Sequence, residues 1–442
     1  MKSSQISFFI ETLGCPKNKV DSRVMRFALL RSGFMEAKNS RDANYHLINS
    51  CSFIREAQEE TVDTVFHAIE EKKDNIKKVG LIGCFAERFP KALKEEIPEI
   101  DFSVGTGNFD KIPTILAQKY GIELEQHAAI KWADLQNKED SYLPYSHFRI
   151  ATGCSRSCEF CILPSIRGSL TKLDIPQMEK SWQDEKELRN QREIKEVILV
   201  SQDTISQGVE ELEKIIEYYS NKEEIKWIRL QYLFPDKRVL KLLDLYERYP
   251  KLVSYLDIPF QHVSQNILKD MNRPYDKELF VEIIDKARSI RPNIEVRTSF
   301  IVGFPSESEN DFIQLRDFIS KNNIEKIALF RYSHEEGTSA AIRVDDVNDE
   351  LKVSRINELR DFHLQNRSTN RNSLIDNIET MLVDTVNDLE IITRRQQDSP
   401  EIDEVVFIDK PHTKSDVVAG DFVKVKINQP MEYDYMGEIV EK

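Results

Sequence analysis

The sequence predicts an α/β protein in three parts: an N-terminal domain with a parallel sheet, a central partial (β/α)6 barrel and a small C-terminal antiparallel β-barrel. Three patterns lead to this prediction. Strands and helices alternate over residues 1–130, six further strand-like runs alternate with helical patterns within 146–345, and short β-rich runs separated by turns fill 376–442. A polar, proline-containing stretch at 131–145 is expected to be a linker, and 346–375 a connecting, exposed helix. A chain of 442 residues is long enough for about three domains.

The predicted strands of the first part are short apolar runs, each followed by a turn and a helical pattern. Strands are expected at 6–10, 45–48 and 79–82, a turn at 14–18, and helices at 21–31, 55–73 and 87–93. Such alternation predicts a parallel sheet, because each helix carries the chain back to the edge where the next strand begins.

Three cysteines occupy equivalent positions in this pattern. Cys15, Cys51 and Cys84 each follow the carboxyl end of a predicted strand, and ligands of open parallel sheets bind outside those ends. Small residues also suit tight strand–helix turns, and cysteine is often buried as a small apolar side chain. The recurrence at three of three strand ends favours a set of metal ligands, and we interpret it as a three-thiolate iron–sulfur site.

The central part contains a second cysteine trio. Strands are expected at 147–151, 197–201, 227–233, 255–259, 294–302 and 326–332, and the site of such a barrel lies at the carboxyl ends of its strands. Cys154, Cys158 and Cys161 follow the first strand with the spacing C-x-x-x-C-x-x-C. Three thiolates on a four-iron cubane leave one iron open for a small molecule.

Zinc is the alternative for this trio, and it usually takes four ligands, often from paired C-x-x-C elements or histidines. No histidine lies within residues 151–168, and the chain has no second C-x-x-C. A buried core role is also disfavoured, because Ser155, Arg156 and Ser157 make the segment a polar loop. The spacing therefore predicts cluster chemistry.

Charge indicates the kind of partner. The net charge is −14, and residues 376–442 hold 7 Lys or Arg against 16 Asp or Glu, which gives this segment a net charge of −9. Nonspecific nucleic-acid binding relies on Lys and Arg, so no extensive nucleic-acid surface is expected, and a basic protein partner fits better. The sequence has no apolar run long enough to span a bilayer and no export signal at its N-terminus, so no membrane association and a cytoplasmic location are expected.

The second cysteine trio, with Phe160 before its last member, resembles the radical S-adenosylmethionine superfamily. Residues 13–18 (LGCPKN), 49–51 (NSC) and 83–84 (GC) resemble the methylthiotransferases within it. Residues 161–168 (CILPSIRG), 201–204 (SQDT), 256–262 (LDIPFQH) and 300–305 (FIVGFP) resemble the branch of bacterial enzymes that modify ribosomal protein S-twelve. The resemblance covers the whole chain and identifies the C-terminal barrel as a TRAM domain.

The resemblance implies two 4Fe–4S clusters and S-adenosylmethionine as cofactors. Cys154, Cys158 and Cys161 would hold the cluster that binds and reductively cleaves S-adenosylmethionine to a 5′-deoxyadenosyl radical, with an electron donor as a second partner. Cys15, Cys51 and Cys84 would hold the other cluster, whose open iron carries the sulfur. Radical chemistry suits an unactivated C–H bond, which no side-chain base deprotonates usefully at neutral pH.

Five further residues are candidates for contact with S-adenosylmethionine. The ring of Phe160 is expected against the adenine, with the backbone of Ile301 and Gly303 close to it, and Gln202 and Asp203 at the polar groups. Ordinary core packing or a satisfied turn is the alternative for each. No catalytic side chain is assigned beyond the cysteines, and Arg167 receives no role.

The predicted activity is methylthiolation of the β-carbon of an aspartate in ribosomal protein S-twelve, either free or assembled in the ribosome. The first alternative is the sibling activity on a tRNA adenosine, which shares both cysteine trios. Its barrel should be rich in Lys and Arg, whereas this one is acidic. The second alternative is a noncatalytic iron–sulfur carrier or scaffold, which needs no cofactor-sized barrel.

Overall fold

The computed structural model describes residues 2–73, 78–136, 142–410 and 416–442. Residues 137–141 of the predicted linker lie outside the described residues. The chain forms two compact units. The first comprises 1–141, 147–156 and 161–192, and the second comprises 142–146, 157–160 and 193–442.

The first unit is built on a five-stranded parallel sheet in the order β2-β1-β3-β4-β5. Its strands are β1 (Ser7–Thr12), β2 (Met35–Glu36), β3 (Tyr45–Ser50), β4 (Lys78–Gly83) and β5 (Phe102–Val104). Its larger helices are α1 (Pro16–Arg31), α2 (Arg55–Lys73), α3 (Cys84–Arg88), α4 (Pro90–Glu96) and α5 (Ile112–Tyr120). The three predicted strands are present, and the structure adds the short edge strands β2 and β5.

Both faces of this sheet are covered by apolar side chains. The neighbours Leu47 and Ile48 on β3 belong to different hydrophobic clusters, and so do Leu81 and Ile82 on β4. Successive side chains of a strand point to opposite faces, so these pairs anchor one cluster on each side. Burial on both faces is typical of a parallel sheet between helices.

Two local predictions for this unit were wrong. The helix expected at 87–93 is two helices, α3 and α4, because Pro90 opens α4 and disfavours a helical conformation at Phe89. The turn expected at 14–18 is shorter, because α1 already begins at Pro16, a position where the missing proline N–H is harmless.

The remaining elements of the first unit surround the cysteine loop in the chain. They are β6 (Tyr145–Arg149), whose first two residues belong to the second unit, β7 (Ala151–Thr152), α6 (Leu163–Arg167), β8 (Thr171–Lys172) and α7 (Ile175–Leu188). Asp174 caps α7 by accepting a hydrogen bond from the Gln177 N–H at 2.8 Å. In return, the Gln177 side-chain oxygen accepts a hydrogen bond from the Asp174 N–H at 3.0 Å. This reciprocal capping box satisfies backbone donors that the helix leaves unpaired.

The second unit begins with an α/β part whose described strands pair in parallel. Its strands are β9 (Glu196–Val200), β10 (Trp227–Leu230), β11 (Tyr255–Asp257), β12 (Glu295–Val302) and β13 (Lys326–Arg331). Its helices are α8 (Val209–Ser220), α9 (Arg238–Arg248), α10 (Gln265–Asp270), α11 (Lys277–Ile290) and α12 (Glu309–Lys321). Each of the six strands predicted for the central part is present.

The long helix α13 (Asp349–Ser373) follows, and it is less exposed than predicted. Lys352 and Arg355 are buried, and Arg355 donates to the fully buried carboxylate of Glu307 at 2.7 Å. The sequence predicted an exposed connecting helix, but long Lys and Arg side chains can bury their stems and still meet a carboxylate.

Five strands form a closed barrel at the end of the second unit. They are β14 (Ile378–Val386), β15 (Glu390–Arg394), β16 (Val406–Asp409), β17 (Phe422–Pro430) and β18 (Tyr435–Glu441), in the order β14-β15-β16-β18-β17. The predicted barrel is confirmed, although it is not wholly antiparallel, because β16 and β18 pair in parallel. Closure pairs every strand with two neighbours and so removes exposed edges.

Candidate functional site

The first cysteine trio lies at one edge of the N-terminal sheet. Thr12 on β1 pairs with Asn49 on β3, and Asn49 pairs with Ile82 on β4, so the three strands end side by side. The segments that leave these ends carry Cys15, Cys51 and Cys84, as the sequence predicted. Cys15 caps the N-terminus of α1 and is half-buried, Cys51 follows β3, and Cys84 is the first residue of α3.

Close contacts require glycine before two of these cysteines. Gly14 has a φ of +84°, and a Cβ there would lie 2.6 Å from Cys51 Cβ and 2.8 Å from Cys51 Sγ. Gly83 has a φ of +93°, and its Cβ would lie 2.6 Å from Asn49 Oδ1. Glycine alone adopts such backbone angles readily and leaves this space for the neighbouring side chains.

Buried hydrogen bonds hold the three segments together. Asn18 donates to Leu13 O at 2.7 Å and to Ser50 O at 3.2 Å, and so joins the ends of β1 and β3. Ser50 donates to Ile82 O at 2.6 Å, and Thr61 donates to Cys51 O at 2.9 Å. Because these bonds are shielded from water, the position of each cysteine is fixed by the fold.

The three thiols are close enough to interact electrostatically. Burial, together with the negative charge of the Cys15 and Cys84 thiolates, raises the pKa of Cys51 to about 12. Burial also raises the pKa of Cys84, whereas the positive charge of Arg167 lowers it. The neutral thiols are therefore favoured at Cys51 and Cys84 despite the charge of Arg167, and a further positively charged group is needed to keep them as thiolates.

The structure places Arg167, which received no role from the sequence, at the first cysteine trio. Its Nη2 lies 3.0 Å from Cys84 Sγ and 2.8 Å from Asn18 Oδ1, and its Nη1 lies 2.6 Å from Asp21 Oδ2. Arg167 and Cys84 are 83 positions apart in the chain, and no local pattern connects them.

The donor set of this site fits an iron–sulfur cluster better than a single metal ion. Within the described ranges, no group of three or more His, Cys, Asp or Glu side chains is arranged to hold one metal ion. A 4Fe–4S cubane offers a separate iron to each thiolate, so its ligands surround a volume instead of meeting at a point. Three thiols at one sheet edge, each on a different segment of the chain, suit such a group.

The second cysteine trio lies on an irregular segment between β7 and α6. Cys154 is buried, and its N–H donates to Gly168 O at 3.0 Å, which ties the start of this segment to the end of α6. A Cβ on Gly153, whose φ is +70°, would lie 2.2 Å from Ser169 O, so only glycine fits here. Cys158 and Cys161 are half-buried.

Phe160 and Ile301 belong to one hydrophobic cluster of the second unit. Phe160 is partly buried against a hydrophobic cluster that contains Ile301, Phe304 and Tyr332. The guanidinium of Arg273 lies 5.7 Å from the Phe160 ring centroid, within range of a cation–π interaction. The structure thus brings two of the predicted cofactor contacts together in one apolar wall.

Gly303 and Gln202 each lie just after the end of a strand of the second unit. The Gly303 N–H donates to Glu307 Oε2 at 2.7 Å, and a Cβ on Gly303 would lie 2.3 Å from Lys352 Cγ, so the packed Lys352 side chain by itself requires glycine. Gln202 follows β9, and its Oε1 is buried without a hydrogen-bond partner in the described residues. A buried polar atom without a partner is expensive, which indicates a missing ligand or water.

Asp203, the neighbour of Gln202, already has a structural task. Its carboxylate accepts from the Ser206 hydroxyl at 2.5 Å and from the Ser206 N–H at 3.3 Å, and it caps the 3-10 helix Thr204–Gln207. Of the two polar candidates at this strand end, Gln202 is the one whose side chain has unused hydrogen-bonding capacity.

Comparison with known proteins places each part of the chain in a family. Residues 148–319 match the Radical SAM superfamily, residues 377–440 match the TRAM domain, and residues 7–105 match the Uncharacterized protein family UPF0004. Among solved structures, the radical S-adenosylmethionine methyltransferase TsrM from Kitasatospora setae is similar with a TM-score of 0.56 and 12% identity, over 73% of this chain and 72% of that chain. The cobalamin-dependent radical enzyme OxsB is similar with a TM-score of 0.51 and 12% identity, over 81% of this chain and 56% of that chain. These two likenesses concern the fold.

The fold and its cysteine loop thus define a radical S-adenosylmethionine enzyme. Sequence relatives make the class narrower. The ribosomal protein uS12 methylthiotransferases RimO of Leptospira biflexa and Clostridioides difficile are 39% and 34% identical to this chain, and each alignment covers 98% of it and 97% and 98% of the relative. The chain belongs to the RimO family of methylthiotransferases.

Membership confirms the predicted enzyme class. The protein is a radical S-adenosylmethionine methylthiotransferase, and its cofactors are S-adenosylmethionine and two 4Fe–4S clusters. The alternative of a noncatalytic carrier or scaffold is not supported. No helix among the described residues has both the length and the apolar character needed to cross a membrane.

Proposed function

We propose that this enzyme methylthiolates the β-carbon of an aspartate in ribosomal protein uS12, and that each cysteine trio holds one of its two clusters. The relatives named uS12 methylthiotransferase support the substrate. The observation that carries the ligand assignment is the meeting of Cys15, Cys51 and Cys84 at one edge of a parallel sheet. Cysteine is the usual ligand of such clusters, and three thiolates leave one iron for sulfur.

The loop of Cys154, Cys158 and Cys161 is proposed to bind the other cluster, which supplies the radical chemistry when S-adenosylmethionine is bound. An electron donor that reduces this cluster is part of the proposal. The glycine at 153 and the bond from Cys154 N–H to Gly168 O support a fixed loop start, so that Cys154 need not be ordered on binding.

Five residues are proposed to build the S-adenosylmethionine site, Phe160, Ile301 and Gln202 by contact and Asp203 and Gly303 by holding the backbone. The wall of Phe160 and Ile301 supports apolar contact with the adenine, and the unpartnered Oε1 of Gln202 supports a hydrogen bond to a polar group. Asp203 holds the turn that presents Gln202, and the bond from Gly303 N–H to Glu307 holds the end of β12. In this assignment Gln202 binds, whereas Asp203 and Gly303 shape the backbone on which binding depends.

The terminal barrel supports a basic protein partner. Among its described lysines, Lys424 pairs with Glu441 at 2.6 Å, Lys426 with Asp376 at 2.9 Å and Lys442 with Asp421 at 2.9 Å. Nearby acids thus compensate these three positive charges, while the barrel segment as a whole carries a net charge of −9. Such a surface suits a Lys- and Arg-rich ribosomal protein and repels the phosphates of tRNA. A ribosomal substrate implies a cytoplasmic location.

Mass spectrometry of ribosomes tests the substrate. In a strain that lacks this gene, uS12 is expected to be lighter by one methylthio group, and the mass should return when the wild-type gene is supplied. A Cys154→Ala, Cys158→Ala, Cys161→Ala variant should not restore it. An unchanged uS12 mass together with the loss of a methylthiolated adenosine from tRNA would overturn the proposal in favour of the sibling activity.

An anaerobic count of iron and sulfide tests the ligand assignment. The Cys15→Ala, Cys51→Ala, Cys84→Ala variant is expected to keep about half the iron of the wild type, because one cubane remains. The matched variant of the other trio should also keep about half. Full iron content in either triple variant would show that its cysteines are not ligands.

A further inference from the structure

The Arg167 guanidinium lies at the first cysteine trio. Its Nη2 is 3.0 Å from Cys84 Sγ, so its positive charge faces a sulfur that is proposed to bind the cluster. Only 6% of its side chain is exposed, so water does not screen this interaction.

Arg167 is held in this position from its other side. Asp21 is fully buried, and its two carboxylate oxygens are taken by Arg167 at 2.6 Å and by Arg149 in a close contact. The second Nη2 bond, to Asn18 Oδ1 at 2.8 Å, connects the guanidinium to the residue that joins the ends of β1 and β3. The orientation of the planar Arg167 guanidinium is therefore fixed, and the group stays positively charged.

We propose that Arg167 is a positioning residue for the cluster of Cys15, Cys51 and Cys84, and that its bond to Cys84 sulfur raises the reduction potential of that cluster. This inference rests on the proposed ligand assignment. Reduction adds one electron and makes the thiolate-ligated cluster more negative. A fixed cation that donates to a ligand sulfur stabilises the reduced state more than the oxidised state, and hydrogen bonds to sulfur are known levers on cluster potential.

The position of Arg167 in the chain gives the inference a further consequence. Arg167 ends α6, which begins two residues after Cys161. One short segment thus carries a ligand of one proposed cluster and the charged donor to the other. A change that displaces α6 is expected to shift the reduction potential of the cluster on Cys15, Cys51 and Cys84, although none of these ligands is altered.

The test isolates the first cluster site in the full-length chain. A Cys154→Ala, Cys158→Ala, Cys161→Ala background is reconstituted anaerobically, and its iron is counted. Its midpoint potential is then measured by electron paramagnetic resonance during titration with dithionite. R167M is expected to lower the potential by about 59 mV or more, which is a tenfold loss in the equilibrium constant for reduction by one electron. R167K should lower it less, because lysine keeps the charge but loses the fork.

Arg149 provides the matched control, because it binds the same Asp21 carboxylate. Within the described part of the chain, it does not contact the three cysteines. R149K should change the midpoint potential by only a small fraction of the change in R167M. If R167M fails to fold, R167K is compared with R149K. A lower midpoint potential in R167K alone supports the inference. Equal potentials in R167K and R149K would overturn it.

The iron count separates the two proposals. If the background variant with Arg167 intact takes up no iron, the ligand assignment fails, and the inference about Arg167 fails with it. If it takes up one cluster whose potential is the same with Arg, Lys or Met at position 167, only the inference about Arg167 fails.

Discussion

Arg394 on β15 of the barrel and Glu196 at the start of β9 form an ion pair at 2.5 Å in which both side chains are fully buried. Arg394 also binds Asp384 at 2.8 Å, and Glu196 binds Arg229 at 2.7 Å. The charges therefore alternate in sign through the interior of the second unit. Each is compensated by a neighbour, which is the condition under which buried charges are tolerated.

Removal of Arg394 should destabilise the protein strongly. R394M leaves Asp384 buried without its main partner, and a loss of about 3–5 kcal/mol in the free energy of unfolding is expected. Urea unfolding of the apo-protein, followed by circular dichroism, measures it. K424A breaks the exposed pair with Glu441 on the same barrel and should change the stability by less than about 1 kcal/mol. Similar losses in both variants would contradict this account.

Gly14 should be irreplaceable for cluster binding. G14A adds a Cβ 2.6 Å from Cys51 Cβ, so Cys51 must move, and the iron content of that site is expected to fall by more than half. Gly107 is the matched control, because its φ is also +84° and its Cβ would meet nothing within 4 Å. Both variants carry a left-handed alanine, which costs about 1–2 kcal/mol. Iron loss in G107A equal to that in G14A would mean that backbone strain alone is responsible.

Gln202 should contribute directly to the affinity for S-adenosylmethionine. Q202L removes one hydrogen bond and is expected to weaken binding to the reconstituted enzyme several-fold, in keeping with about 0.5–1.5 kcal/mol for such a bond. Isothermal titration under anaerobic conditions measures it. D203N disturbs the cap on Ser206, so its main effect should be a lower melting temperature. Unchanged affinity in Q202L would remove Gln202 from the proposed binding site.

His363 on α13 should make the apo-protein sensitive to acid. Burial, with a further contribution from Arg367, lowers the pKa of His363 to about 3. Below about pH 6.5, the usual pKa of histidine, His363 takes up a proton in the unfolded chain but stays neutral in the folded chain. Stability therefore falls as the pH decreases from 6.5 towards 3. The expected contribution is about 2 kcal/mol between pH 7 and pH 5.

H363Q should reduce that difference when urea unfolding is compared at pH 7 and pH 5. H67Q is the control, since the His67 side chain is 87% exposed. If H363Q shows the same pH dependence as the wild type, other groups carry the acid sensitivity.

Most secondary structure of this chain was predictable because it rests on local patterns. Apolar runs followed by turn residues identified six strands of the central part but not the two-residue strand β8, and the helix expected at 55–73 has those bounds in the structure. The errors arose where one residue overrides a pattern, as Pro90 does between α3 and α4. The parallel pairing of β16 with β18 was also missed, since strand direction within a barrel depends on how the whole barrel closes.

The sequence by itself determined the chemistry of this protein, because cysteine spacing and the order of strands and helices are properties of the chain. It placed Cys15, Cys51 and Cys84 at strand ends, and the parallel topology then brought those ends to one edge. Only the tertiary structure decided what surrounds the thiols. Arg167 reaches Cys84 through a buried pair with Asp21, an arrangement that depends on the packing of distant segments. Charges meet in the interior only where the fold removes water between them, and no local sequence pattern records that.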